Sequence, residues 1–286
     1  MKQEKWKLIP LQIILAVLPL VLHLRVDNSG LAKYMWNSSD DTYLDIFLHG
    51  KMVLFLFLAA VILFLAVFRV LTLDKREQKQ YIWLFLPMLV YLGFATVSTV
   101  FSEHLGYSLL GAMDAKEPLP VLFGYVLVAF YACLAVKSVE DMKQLTGAAV
   151  AGGACMALLG ILQTVGKDPL LTEGVQSLFV DKSFMETYGL LQLTFPKGMA
   201  YGTLFNPNYV GSYVALYVPI VVFGLIWYRK LWQKAICAVT CLGLLITLFA
   251  SQSRTGLLSL GVMVILAVAF LGRKLWKRWY VIGQDW

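Results

Sequence analysis

Two short polar segments interrupt an otherwise apolar sequence, and both carry residue types suited to holding an anion. The first, 201–213, reads YGTLFNPNYVGSY. Asn206 fits an N-cap and Pro207 the first helical position, so a helix is expected to open there. Its free N–H groups and partial positive charge would form an anion site without any charged side chain. Plain capping of a helix that leaves a loop accounts for the same residues. The second segment, 250–256, reads ASQSRTG. Arg254 has no acidic neighbour in sequence, and a guanidinium suits bidentate contact with phosphate oxygens. Ser251, Ser253 and Thr255 add hydroxyl donors. An arginine snorkelling to lipid headgroups is the competing reading.

The remaining polar candidates are fewer. His23 sits at the end of the first apolar run, and His49 and His104 lie near Asp45 and Glu103. Either of the latter two could in principle serve as a base, though a solvated loop histidine is the favoured account of both. Glu103, Asp114 and Glu117 share one loop and read as an acidic surface. Cys133, Cys155, Cys237 and Cys241 all fall in apolar stretches with no His or acidic neighbours, which speaks against zinc or disulfide roles. No nucleotide-binding glycine loop, HExxH, GxSxG or CxxC is present, so neither a cofactor nor a metal is expected.

These residues must be positioned by a chain of 286 residues, 59% hydrophobic and 14% charged, with a mean hydropathy of +0.73. So little charge cannot cover a water-soluble globule. A soluble enzyme, a disordered tail and a disulfide-rich secreted module are excluded. The expected fold class is an all-α polytopic membrane protein forming a single membrane domain, 1–286. Eight apolar runs mark its spans near 8–24, 52–73, 81–101, 119–136, 145–165, 208–227, 235–250 and 256–271. Backbone groups in lipid must be satisfied within the segment, so the runs are helices. The basic start and the first run lack a small-residue cleavage pattern, which implies a retained first helix.

Charge supports this count. With a cytoplasmic N-terminus, 16 of the 24 Lys/Arg and 6 of the 17 Asp/Glu fall inside, a contrast of +10 against −3 outside. This is the positive-inside pattern, and it puts both termini in the cytoplasm. It also accounts for the net charge of +7 without nucleic acid as a partner. Outside lies the longest polar segment, the outer loop 166–207, with Asp168, Glu173, Asp181 and Glu186. Long loops are where function concentrates, which makes the outer face the working face.

Three stretches together resemble a known family. GTLFNPNYVGSYVALYVPI resembles the G-T-x-x-N-P-N helix opening of the bacterial O-antigen ligase and polymerase superfamily. ASQSRTGLLSLGVMV resembles that family's S-x-S-R-[GT] outer turn, and GILQTVGKDPL its fifth-helix ending, where a Gln precedes a short loop. Order and spacing agree over about 45–271. The resemblance implies a multi-helix membrane fold related to GT-C glycosyltransferases. It implies transfer of a glycan from a polyprenyl-diphosphate carrier to a glycan, lipid or protein acceptor at the outer face of the bacterial cytoplasmic membrane. On the same basis Arg254 would hold the diphosphate, with Asn206, Asn208 and Ser253 shaping the pocket. Family members carry a histidine and a further arginine in a large outer loop after later helices, and this sequence stops at Trp286 before any such loop. The expectation is an N-terminal part of the family's architecture, with the catalytic base supplied elsewhere or by His49 or His104. The alternative is a non-enzymatic membrane protein such as a lipid-linked sugar transporter, which would place charged residues along a path within the spans.

Overall fold

The computed structural model describes residues 5–27, 43–111 and 116–282, with side chains as far as residue 270. Asp114 lies outside the described residues. The chain is predominantly helical, as an all-α membrane protein requires. Five helices are long and apolar enough to cross a bilayer: α2 (His49–Leu71), α3 (Lys75–Val100), α6 (Val139–Thr164), α9 (Pro207–Trp227) and α10 (Leu231–Ser251). Three shorter apolar stretches match the other expected runs: Trp6–Leu20 with α1 (Ile9–Ala16), α5 (Leu119–Ala135), and Arg254–Phe270 within α11 (Arg254–Ile282). Short helices α4 (Leu105–Leu110), α7 (Glu173–Gln176) and α8 (Lys182–Tyr188) lie between spans.

Two long helices begin earlier than their apolar runs because each is capped locally. Asp74 accepts from the Glu77 backbone N–H at 2.7 Å, and Glu77 returns a contact to Asp74 N at 3.3 Å. Ser138 and Asp141 make the same reciprocal box at 3.1 and 3.0 Å. Each box satisfies N–H groups that the helix start leaves orphaned, so helix continues into polar sequence.

The expectation of one helix over 8–24 is corrected. Helix α1 ends at Ala16, a 3₁₀ turn covers Leu18–Leu20, and the chain then runs extended into strand β1 (Arg25–Asp27). Pro19 is the cause: it has no N–H and cannot donate to the carbonyl of Leu15. That carbonyl is taken instead by Tyr217 Oη at 2.6 Å. Strand β1 pairs antiparallel with β2 (Tyr43–Asp45), so the fold carries a small ribbon besides its helices.

The described helices form two groups bridged by α1. One packs α9 against α6, α10 and α11, and the other packs α2 against α5, with α3 on the outside of α5. Lipid supplies little hydrophobic force between helices, so close approach rests on small residues. A Cβ on Gly160 would strike the Thr247 side chain, and one on Gly243 would lie 2.9 Å from Ala157 Cβ. Gly152 brings α6 onto the broken end of α1, where an added Cβ would sit 2.7 Å from the Leu15 carbonyl oxygen. The side of α3 away from the bundle is apolar and exposed, with Trp83 and Phe94 at 64% and 74%, as a lipid-facing helix requires.

One end of the bundle carries the ribbon and the segment between α6 and α9, and is called the loop end here. A third apolar cluster lies there, where Leu24 and Phe47 beside the ribbon pack with Leu170, Phe179 and Tyr201. The segment 166–206 is therefore a folded cap rather than a free loop.

Candidate functional site

At the loop end the three resemblance-bearing stretches touch. Gln163, in the last turn of α6, is 3% exposed and points its amide at the strand of chain leading into α9. Its Oε1 accepts from Tyr201 N at 3.1 Å and Gly202 N at 2.8 Å, while Nε2 donates to Gly202 O at 3.3 Å. Asp168 accepts from Leu170 N at 3.0 Å and from Tyr201 Oη. Burial, together with the bond to Asp168 and its charge, pushes the Tyr201 phenol far above its ordinary range, so it stays a proton donor. Phe195 stacks on Tyr201 at 3.8 Å between centroids.

Lys51, in the first turn of α2, fastens the same chain from the other side. Its Nζ donates to the carbonyls of Val21, Phe47 and Thr203 at 2.7, 2.8 and 2.7 Å. All three ammonium protons are thereby directed to backbone, and the end of α1, the ribbon exit and the α9 lead-in are tied at one point. Thr203 Oγ1 adds a bond to Pro19 O at 2.6 Å. Asp45, at the end of β2, accepts from the N–H groups of Phe47, Leu48 and His49 at 2.8–3.0 Å and so caps α2.

With its lead-in held, α9 opens at Asn206, whose Oδ1 accepts from Asn208 N at 2.8 Å. The preceding residue, Phe205, has φ 57°, and Gln252, two residues before α11, has φ 56°. Both are left-handed conformations that cost a bulky residue energy and persist only under surrounding constraint. Beyond Gln252, Ser253 Oγ accepts from Gly256 N at 3.1 Å and caps α11. The same hydroxyl lies 3.3 Å from Asn208 Oδ1. The starts of α9 and α11 are thus joined side by side, which the glycines make possible: a Cβ on Gly211 would meet Ser253 Oγ, and one on Gly256 would meet Gly211 Cα.

The sequence-derived residues divide accordingly. Asn206, Asn208 and Ser253 come together, but the oxygens of Asn206 and Ser253 are spent on caps, leaving the two asparagine amide N–H groups as donors. Arg254 follows directly in the first turn of α11, exposed, with no hydrogen bond or ion pair among the described residues. Thr255 Oγ1 is 3.2 Å from Ser253 Oγ, and Ser251 bonds back to Leu248 O at 2.8 Å. His49 Nε2 pairs with Arg25 at 2.6 Å, and the exposed His104 accompanies Ser102. Neither histidine joins the α9–α11 junction.

A second feature escaped the sequence reading. A cavity of about 590 Å³ opens between the end of α1, α2, α5 and α9. Apolar side chains such as Ile14, Met52 and Val128 line most of it, and Lys51, Lys116, Glu117, Tyr125, Tyr209 and Tyr213 supply polar groups. Glu117 Oε1 accepts from Tyr125 Oη at 3.2 Å. Lysines 51 and 116 at the edges of apolar runs were the available signal, since a charge beside lipid is costly and tends to have a specific purpose. Which wall each would face depends on helix packing.

Comparison with known proteins returns nothing: no family model, no curated protein and no solved structure matches the chain.

Proposed function

We propose that this chain is a membrane glycosyltransferase of the O-antigen ligase type. It moves a glycan from a polyprenyl-diphosphate carrier to an acceptor at the outer face of a bacterial cytoplasmic membrane, with the loop end outside. The supporting observation is the junction at that end: two helix starts lie together, and beside them Arg254 has no hydrogen-bonded or ion-paired partner among the described residues.

Attack by an acceptor hydroxyl on the anomeric carbon forms one C–O bond, breaks the bond to the diphosphate, whose charge grows as it departs, and gives up the hydroxyl proton to a base or to water. Fixed cations and dipoles aimed at that charge lower the barrier without reorganising. Arg254 supplies the cation and a planar fork for two phosphate oxygens. The first-turn N–H groups of α9 and α11 supply the dipoles, and the Asn206 and Asn208 amides supply further donors. The strained lead-in at Phe205, preceded by chain that Gln163 and Lys51 hold, and the left-handed Gln252 before α11 keep this geometry fixed before substrate arrives. The buried charged residues among those described, Asp45, Lys116 and Asp141, lie at or just outside helix ends rather than along a mid-span path. This gives the transporter reading no added support.

The test is Arg254→Ala and Arg254→Lys in the full-length gene product, assayed for transfer from a lipid-linked glycan. Alanine is expected to lower kcat by about 10²–10³, the usual cost of one such group, and lysine to recover part of it. Transfer at the wild-type rate in the alanine variant overturns the assignment.

A further inference from the structure

The end of the bundle away from the α9–α11 junction carries an apolar groove with a basic mouth. A cavity of about 390 Å³ lies where α3 packs against α5, with Val70 and Leu73 at the end of α2 on its third side. Helix α3 lines it with Gln78, Ile82, Phe85, Leu89 and Leu92, a stripe that recurs every three or four residues. Phe85 and Leu92 are buried whereas Ile82 and Leu89 are exposed, so the groove opens sideways toward lipid. From Tyr81 to Leu92 it runs about 16 Å at the helical rise, close to one leaflet of a hydrocarbon core about 30 Å thick.

Cations stand where this groove reaches the end of the bundle. Lys75, three residues before Gln78, continues the α3 stripe into the first turn. It is exposed and makes no side-chain hydrogen bond or ion pair among the described residues. Lys137, just past the end of α5, places Nζ 2.7 Å from Tyr81 Oη and 5.4 Å from the centre of that ring. The phenol takes one of three ammonium protons and leaves the charge uncompensated. Arg69, in the last turn of α2, stands one turn before Leu73. The nearby carboxylates are committed elsewhere. Asp74 and Glu77 face each other's backbone N–H in the α3 cap, and Asp141 pairs with Lys7 at 3.4 Å while accepting from Lys137 N at 3.0 Å. Basic pockets between spanning helices are suited to anionic lipid headgroups.

We propose that this groove binds an anionic phospholipid from the leaflet at this end of the bundle. Its phosphate lies between Lys75 and Lys137, and one acyl chain fills the groove along α3 as far as Leu92. The apolar depth would accept the chain of any lipid; the two lysines select the charge. The proposal stands independently of the transferase reading.

The test compares dioleoyl phosphatidylglycerol with dioleoyl phosphatidylcholine by native mass spectrometry of the full chain in detergent. The two share acyl chains and differ in net charge. The wild type is expected to favour phosphatidylglycerol about five- to twentyfold, at about fivefold for each cation near the phosphate. Lys75→Gln and Lys137→Gln should each reduce that preference about three- to fivefold. Lys75 bonds nothing in the protein, so its replacement leaves the fold intact. Leu89→Trp, which fills the groove, should weaken binding of both lipids while a thermal melt shows the variant folded. Replacing Arg229, Lys230 and Lys234 together by glutamine removes the cations of the α9–α10 turn at the same end, and should leave the preference unchanged. No preference in the wild type, a preference that survives both lysine substitutions, an equal loss from the α9–α10 control, or unaltered binding to Leu89→Trp would each overturn the proposal.

Discussion

The junction of α9 with α11 makes a sharp prediction, because it rests on two glycines and a third glycine on α11 serves as control. An added Cβ at Gly256 would meet Gly211 Cα and stand 2.9 Å from both Gly211 C and Leu248 Cδ1. Backbone atoms cannot rotate aside, so the helices must part. Overpacking of this kind costs about 1–3 kcal/mol, set against a gain of at most about 1 kcal/mol in helix propensity for Gly→Ala. Gly261, on the same helix, has nothing within 4 Å of its notional Cβ, and alanine there keeps the propensity gain alone. Gly256→Ala should therefore lie about 2 kcal/mol below Gly261→Ala. At about 2–4 °C per kcal/mol for a chain of this order, that is a Tm separation of about 4–8 °C. Gly211→Ala should also fall below Gly261→Ala, since its Cβ would meet Ser253 Cβ, which rotation cannot move, and the Oγ that caps α11. Tryptophan fluorescence melts in a single detergent read all three variants. If Gly256→Ala melts at or above Gly261→Ala, the close contact is wrong, and with it the pairing of the two helix starts.

Two further substitutions probe how the lead-in to α9 is held. Lys51→Met removes the shared donor of three carbonyls, and bonds from charged groups are worth about 1.5–3 kcal/mol each. Proteolytic cutting within 166–206 should then accelerate at least tenfold, and an unchanged digestion pattern would contradict the clamp. Gln163→Leu leaves the N–H groups of Tyr201 and Gly202 without their acceptor, at about 1–3 kcal/mol each. The leucine variant should melt well below the wild type; an unchanged melt would mean that Gln163 fills space and does not hold the turn.

Much of the architecture follows from local rules. Hydropathy alone marks the spanning helices, because lipid offers no partner to a free N–H or C=O. The apolar run 235–250, for example, is the core of the 21-residue helix α10. Asn206 as the cap of α9, with Pro207 behind it, was likewise open to direct reading. The fate of the first run was also written locally, in Pro19, but apolar length outweighed it.

What the order of residues could not decide is which side chains meet. Lys51 and Thr203 are 152 residues apart in the chain, and Tyr217 finds Leu15 across 202. Each partner is chosen by how the helices lean on one another. A lysine near a helix start and a tyrosine in an apolar helix read alike whether they end in lipid, in a clamp or in a cavity. Periodicity assigns a residue to one side of its own helix and is silent on what stands opposite. Composition and capping therefore determined the spans of this protein, whereas the joined helix starts beside Arg254 exist only once Gly211 and Gly256 let α9 and α11 touch.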